Sequence, residues 1–150
     1  EVARVLASGT GPPPKSVVFI AFNGEEQEMQ GSAYYARNPC YPLDGAVMIN
    51  IDCVGASEPG PLMINEFSAI MTSMAYDLYE LSCRLDVEAE MGSSYASDHA
   101  HFALAGVEAI DLTDSGFCSV FHGPFDTPDL IGIERVVDVV RLIAVYSCIH

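Results

Sequence analysis

Residues 16–26 read SVVFIAFNGEE, a continuous apolar run that ends in two neighbouring acids. The run Ser16 to Phe22 lies between a proline-rich loop, Gly11 to Lys15, and an Asn23-Gly24 turn. Its length and its unbroken apolar character predict a strand buried on both faces. Glu25 and Glu26 follow directly past the strand's end. Two adjacent carboxylates there point in different directions, so one can bind a divalent metal while the other faces a metal-activated water as general base. Equally, they can be two solvated acids before a helix, where the helix dipole welcomes negative charge.

On either side of this stretch the period alternates between helix and strand. Val2, Val5 and Leu6 fall on one helical face, and Glu1 opens inside that pattern with neither a methionine nor a cap. The chain therefore reads as cut from something longer, and compartment stays undetermined. Gly31 to Arg37 predicts a short helix stopped by Asn38-Pro39. Gly45 to Ile51 predicts a second buried strand ending at Asp52, and Pro61 to Asn65 a third. Ser68 to Arg84 carries helical spacing, Asp86 to Met91 is a weaker strand, and Ser97 to Ala105 is a helix with a Ser-Asp start and a Gly106 stop. Val107 to Leu112 predicts another strand, and Ile133 to Cys148 a closing amphipathic helix. Strands alternating with helices imply one α/β domain over residues 1–150 with a largely parallel or mixed central sheet.

Composition narrows the function. The chain has 150 residues, half of them apolar, with 12 glycines and 9 prolines, which is ordinary globular composition. Twenty-one acidic side chains against six basic ones give a formal charge of -15. A phosphate backbone needs a patch of Lys and Arg, and anionic lipid needs the same, so neither nucleic acid nor a membrane surface is an expected partner. No stretch reads as a membrane span: the most apolar one, Ile133 to Ile149, carries Glu134, Arg135, Asp138 and Arg141. Five cysteines without paired spacing exclude a complete disulfide framework and a zinc knuckle, and most of them read as small buried apolar residues.

In open α/β sheets ligands sit beyond the carboxyl ends of the strands. There the sequence places Glu25-Glu26, Asn50-Ile51-Asp52 and Asp111-Leu112-Thr113-Asp114, with a later loop carrying His122. Carboxylates and a histidine on one rim form a donor set suited to zinc or a similar ion.

Four segments in order, FNGEEQEMQGSAYYA, INIDCVG, SDHAHFALAGVEAI and FHGPFDTPD, resemble the co-catalytic zinc aminopeptidase family. Its members include bacterial leucyl aminopeptidases and, more distantly, glutamate carboxypeptidases and glutaminyl cyclases. The resemblance covers nearly the whole chain but only the C-terminal part of the family's catalytic domain. It implies a three-layer sandwich, with a mixed, mostly parallel central sheet flanked by helices and the N-terminal strands missing. It implies hydrolysis of N-terminal peptide bonds, with peptides as substrates and two Zn2+ ions in a complete site.

Residue by residue, the resemblance makes Glu25 the general base. Glu26 and His122 would ligate one zinc, and Asp52 the other. Ser97, Asp98 and His99 become support and substrate-side wall, while Asp126 and Thr127 fix the histidine loop. Phe121 stands where one branch of the family has an oxyanion-stabilising tyrosine; a phenyl ring donates no such hydrogen bond. The family's His-x-Asp ligand segment and its bridging Asp have no counterpart in these residues. The chain alone is thus expected to be inactive, and its truncated edge to invite self-association. His99 and His101, two apart on a helix, do not share a face and form no chelate. Phe117, Phe121 and Phe125 read either as packing or as an apolar wall for a substrate side chain. Two rivals remain: a glutaminyl cyclase-like acyltransferase, and a non-catalytic protein-interaction module on the same fold.

Overall fold

The computed structural model describes residues 1–9, 11–58, 60–68, 70–117 and 122–150. Among the described residues the α-helices and strands follow in the order α1 (Val2–Ser8), α2 (Gln30–Arg37), β1 (Val47–Ile51), β2 (Leu62–Glu66), α3 (Ser73–Arg84), β3 (Ala89–Ser93), α4 (His99–Leu104), β4 (Glu108–Asp114) and α5 (Ile133–Ile149). The strands form one sheet in the order β1-β4-β2-β3. β1 runs parallel to β4, and β2 parallel to β3, while β2 and β4 are antiparallel. The sheet is mixed and mostly parallel, as the alternating elements predict.

Side-chain alternation along the strands builds a core on each face. Ile110 and Leu112 of β4, with Leu62 and Ile64 of β2, face α1, α3 and α5 and pack with Val2, Met74, Leu78, Leu142 and Tyr146. Fully burying each Leu or Ile in this layer contributes about 1.5–3 kcal/mol. Ala109 and Met48 face the other way, where Phe102 of α4 and Tyr35 of α2 meet Phe22. The Phe22, Tyr35 and Phe102 rings stand 5.8–5.9 Å apart between centroids, within the range of favourable aromatic contact. Among the described residues no helix is long and apolar enough to cross a membrane.

Four expectations need correction. β1, expected to be a buried strand, has no buried residue, and Val47 and Ile51 at its ends are exposed, because among the described residues it pairs only with β4. Ser16 to Phe22 belongs to no ladder, and Val17, Val18, Phe19 and Ile20 are exposed rather than buried on both faces. An apolar run becomes a strand only when a neighbour takes up its backbone groups, and none of the four strands flanks this one. Next, α3 starts at Ser73, five residues later than its spacing suggests, because two carboxylates fix its first turn. Glu66 Oε1 accepts from the Thr72 amide at 2.9 Å and also from its hydroxyl, and Glu108 Oε1 accepts from the Met74 amide at 2.9 Å. Finally, Cys40, Cys53, Cys83 and Cys148 are all exposed thiols. Cys83 and Cys148 lie in the last turns of α3 and α5, and Cys40 and Cys53 lie in loops, all places that the core does not cover. Cys118 falls outside the described residues.

Candidate active site

Glu25 and Glu26 are carried by a turn folded tightly onto the start of α2. Gly24 has φ +73, and the Gln27 and Gln30 amides both donate to its carbonyl. The Gly31 amide donates to the Asn23 carbonyl at 3.0 Å, so the two ends of the turn touch. A Cβ on Gly31 would stand 2.5 Å from that oxygen, which leaves room for glycine alone.

Asp52 sits one residue past β1, its amide still donating to Leu112 O at 3.1 Å. Its two side-chain oxygens are both engaged. The Ser97 hydroxyl donates to Oδ2 at 2.8 Å, and the Cys53 thiol to Oδ1 at 3.3 Å. Although Cys53 is exposed as a residue, partial desolvation of its thiol first, and the Asp52 charge second, push that thiol up to about 12, so it stays a proton donor.

Behind Ser97 lies a buried polar row that crosses three strands. Asn50, Asp111 and Asn65 are register partners on β1, β4 and β2. The Asn50 amide donates to Ser97 Oγ at 2.8 Å and to Asp111 Oδ1 at 2.9 Å. Burial raises the Asp111 carboxyl above its ordinary value, against the pull of the Asn50 and Asn65 amides and of His99. His99 is fully buried, its Nε2 donating to Ser94 O at 2.8 Å. Ser97 and Asp98 are also buried.

His122, in a left-handed conformation at φ 58, brings Nε2 to 3.0 Å from Glu26 Oε1, and both side chains are well exposed. Glu25 lies among these groups. Partial burial raises its carboxyl above the ordinary glutamate value, the negative charges of Asp52, Glu26 and Asp98 raise it further, and His122 opposes them. Asp126 donates its amide to Gly123 O at 3.2 Å, and Thr127 supports Asp129 by a side-chain hydrogen bond. Phe121 falls outside the described residues, and Phe125 is largely exposed.

The donor chemistry suits a zinc ion in part. The Glu26 carboxylate and His122 imidazole form a two-donor set, and Asp52 lies in the field of Glu25. Among the described residues no three His, Cys, Asp or Glu side chains are grouped to hold one ion. The sequence places Asn50 and Asp111 on the rim with the other polar residues, whereas the structure seats them with Asn65 in a row across β1, β4 and β2, with Asp111 buried in mid-strand. The signal for that row was a polar residue interrupting each of three apolar strands. Asp114, which the sequence places on the rim, is instead buried: its Oδ2 accepts from the Gly55 and Ala56 amides at 2.8 and 3.2 Å and so shapes the loop after Asp52.

Residues 1–147 match the model of peptidase family M28. No curated protein sequence matches the chain. Among solved structures, it is similar to BSAP, a zinc aminopeptidase from Bacillus subtilis, with a TM-score of 0.82 and 25% identity over 97% of this chain and 38% of that one. An aminopeptidase from Aneurinibacillus sp. strain AM-1 gives 0.71 and 27% identity over 85% of this chain and 32% of that one. The Bacteroides thetaiotaomicron glutaminyl cyclase shares the fold at 0.69, with 19% identity over 91% of this chain and 50% of that one. The 150 residues thus span about a third to a half of the length of these relatives.

Proposed function

This chain belongs to peptidase family M28, and from that premise we propose that it is the C-terminal part of the catalytic domain of a zinc-dependent aminopeptidase. One observation carries the reading: the Glu25 carboxylate, its proton affinity raised, lies in the field of Asp52, Glu26 and His122. Glu26 and His122 would hold one ion, and Asp52 would contribute to a second. Zinc bound there supplies Lewis-acid polarisation of the scissile carbonyl and makes water a stronger acid. Glu25 takes the proton from the attacking water at its carboxylate and delivers it to the leaving amine, work suited to an acid whose pKa is lifted toward neutrality. Ser97, fixed by Asn50, keeps the Asp52 carboxylate in one orientation. Peptides with an apolar first residue are the substrates, with Phe125 offering an exposed ring beside the histidine loop. The ligands that the family resemblance adds, a His-x-Asp pair and a bridging Asp, are not among these residues, so the 150-residue chain is inactive by itself.

Leucine p-nitroanilide hydrolysis by the parent polypeptide, with zinc counted by elemental analysis, tests this. Glu25→Gln should lower kcat by about 10²–10⁴ with zinc content unchanged. Cyclisation of a glutaminyl peptide without hydrolysis, or a parent protein that binds no zinc and cleaves nothing, overturns the reading.

A further inference from the structure

The polar row that crosses the sheet is centred on a carboxylate, and an ionised carboxylate can only accept hydrogen bonds. Asp111 stands within β4, 3% exposed, between Asn50 of β1 on one side and Asn65 of β2 on the other. It takes side-chain amide hydrogen bonds from both neighbours. From there the bonds run outward without a break. Asn50 Nδ2 donates to Asp111 Oδ1 at 2.9 Å and to Ser97 Oγ at 2.8 Å, and the Ser97 hydroxyl donates to Asp52 Oδ2 at 2.8 Å. Three bonds thus join a carboxylate inside the sheet to the one just past the end of β1.

The donors and acceptors along this line leave one arrangement open. A primary amide carries two donor hydrogens on its nitrogen and an acceptor oxygen opposite, and a serine hydroxyl has a single proton. With Asp111 as acceptor, Asn50 has to turn its NH2 toward it, and the second hydrogen of that NH2 goes to Ser97 Oγ. Ser97 then meets a donor from behind, and its one proton is left for Asp52. Reversing the Asn50 amide would set its carbonyl oxygen against the Asp111 carboxylate, two buried acceptors with no proton between them. It would also draw the Ser97 proton back toward Asn50 and away from Asp52. The direction of the whole line is decided at Asp111.

We propose that Asp111 is a positioning residue for Asp52: as the buried acceptor at the head of the Asn50–Ser97 line, it fixes which way those two side chains donate and so keeps Asp52 Oδ2 supplied with the Ser97 proton. The consequence for metal binding rests on the reading of Asp52 as a zinc ligand. The direction of the line does not, because it is a property of these four side chains with or without an ion. A carboxylate held at one oxygen has lost its freedom to rotate before an ion arrives, which is how partners behind a ligand raise its affinity. Asp111 exerts this effect only through Asn50 and Ser97.

Two measurements on the parent polypeptide decide this. The first needs no metal. With asparagine nitrogen labelled, both side-chain protons of Asn50 should exchange slowly in the metal-free natural protein, because both are donated inside the fold. Freely exchanging Asn50 protons would overturn the proposal, and this holds even where a variant does not fold. In Asp111→Leu the protection should be lost, and in Asp111→Asn, which keeps an acceptor oxygen, it should return. The second measurement is zinc affinity by competition with a chelator. Asp111→Leu should weaken it by about 10–100-fold, and Asp111→Asn should recover most of the loss. In a Ser97→Ala background, Asp111→Leu should add little, because the line is already cut. Undiminished affinity in Asp111→Leu overturns the proposal. So does a failure of Asp111→Asn to recover, or a double variant whose losses multiply, either of which assigns Asp111 to packing. A parent that protects Asn50 yet binds no zinc supports the line and overturns the zinc reading of Asp52 instead.

Discussion

The Ser97 hydroxyl donates to Asp52 Oδ2 at 2.8 Å while its oxygen accepts from Asn50 at the same distance. A hydroxyl held from behind in this way has its proton direction fixed, and with it the rotamer of Asp52. Ser97→Ala leaves Asp52 free to rotate and strands one Asn50 hydrogen in a buried position. In the parent protein the expected result is a 10–100-fold loss in zinc affinity, read by competition with a chelator. Ser97→Thr, which keeps the hydroxyl, should recover most of it. Equal loss in both variants would assign Ser97 to packing alone.

Asp111 gives a pH dependence. Burial raises its folded-state pKa above its ordinary value of 3.8, so the folded protein binds more protons than the unfolded chain between the two values. This contribution to stability is complete below about pH 4 and declines as pH rises through the folded pKa. Asp111→Asn keeps the acceptor for Asn50 and removes the titration. Relative to the natural protein, the variant should therefore gain stability as pH rises from 4 to 7.5. Urea midpoints measured across that range check it, and parallel curves would count against the buried-carboxylate account.

Much of this architecture can be read along the chain. β1, β2, β4, α2 and α5 fall close to where their apolar periods place them, and Asp52 stands just past the end of β1, but Asp111 and Asp114 are buried within β4. What is not legible depends on partners distant in sequence. The start of α3 is fixed by Glu108, which follows Met74 by 34 residues. The polar row behind Ser97 exists only because the strand order brings Asn50, Asp111 and Asn65 side by side. The run 16–22 fails as a strand for the same reason in reverse: period describes what a segment can bury, and only a neighbour can complete its hydrogen bonds. The exposed cysteines show that residue type alone is a poor guide on a helix, where the face decides.

Gly31 tests whether the turn carrying Glu25 and Glu26 tolerates a side chain. In Gly31→Ala the new methyl would meet the Asn23 oxygen at 2.5 Å and nitrogen at 2.9 Å, both backbone atoms that move only if the turn opens. The expected loss is about 1–3 kcal/mol in the denaturant midpoint, accompanied by a fall in kcat of the parent enzyme. Gly11→Ala, where nothing stands within 4 Å of the added carbon, is the control and should leave the midpoint nearly unchanged.

Arg135 and Asp114 test the loop that follows Asp52. The guanidinium Nε stands 3.0 Å from Asp114 Oδ1, with side chains 7% and 0% exposed, and Arg135 also donates to Gly60 O at 2.6 Å. Asp114 Oδ2 meanwhile holds the Gly55 and Ala56 amides, so one buried carboxylate ties α5 to the loop beside the site. Arg135→Leu removes the only cation in this ion pair and should cost about 3–5 kcal/mol, because the carboxylate stays buried without its counter-charge. Adding Asp114→Asn removes that charge while keeping an acceptor for the two amides, and the double variant should recover part of the loss. Chemical denaturation of the two variants gives the comparison; a double variant no more stable than Arg135→Leu would mean that packing of the arginine stem, rather than charge pairing, holds the loop in place.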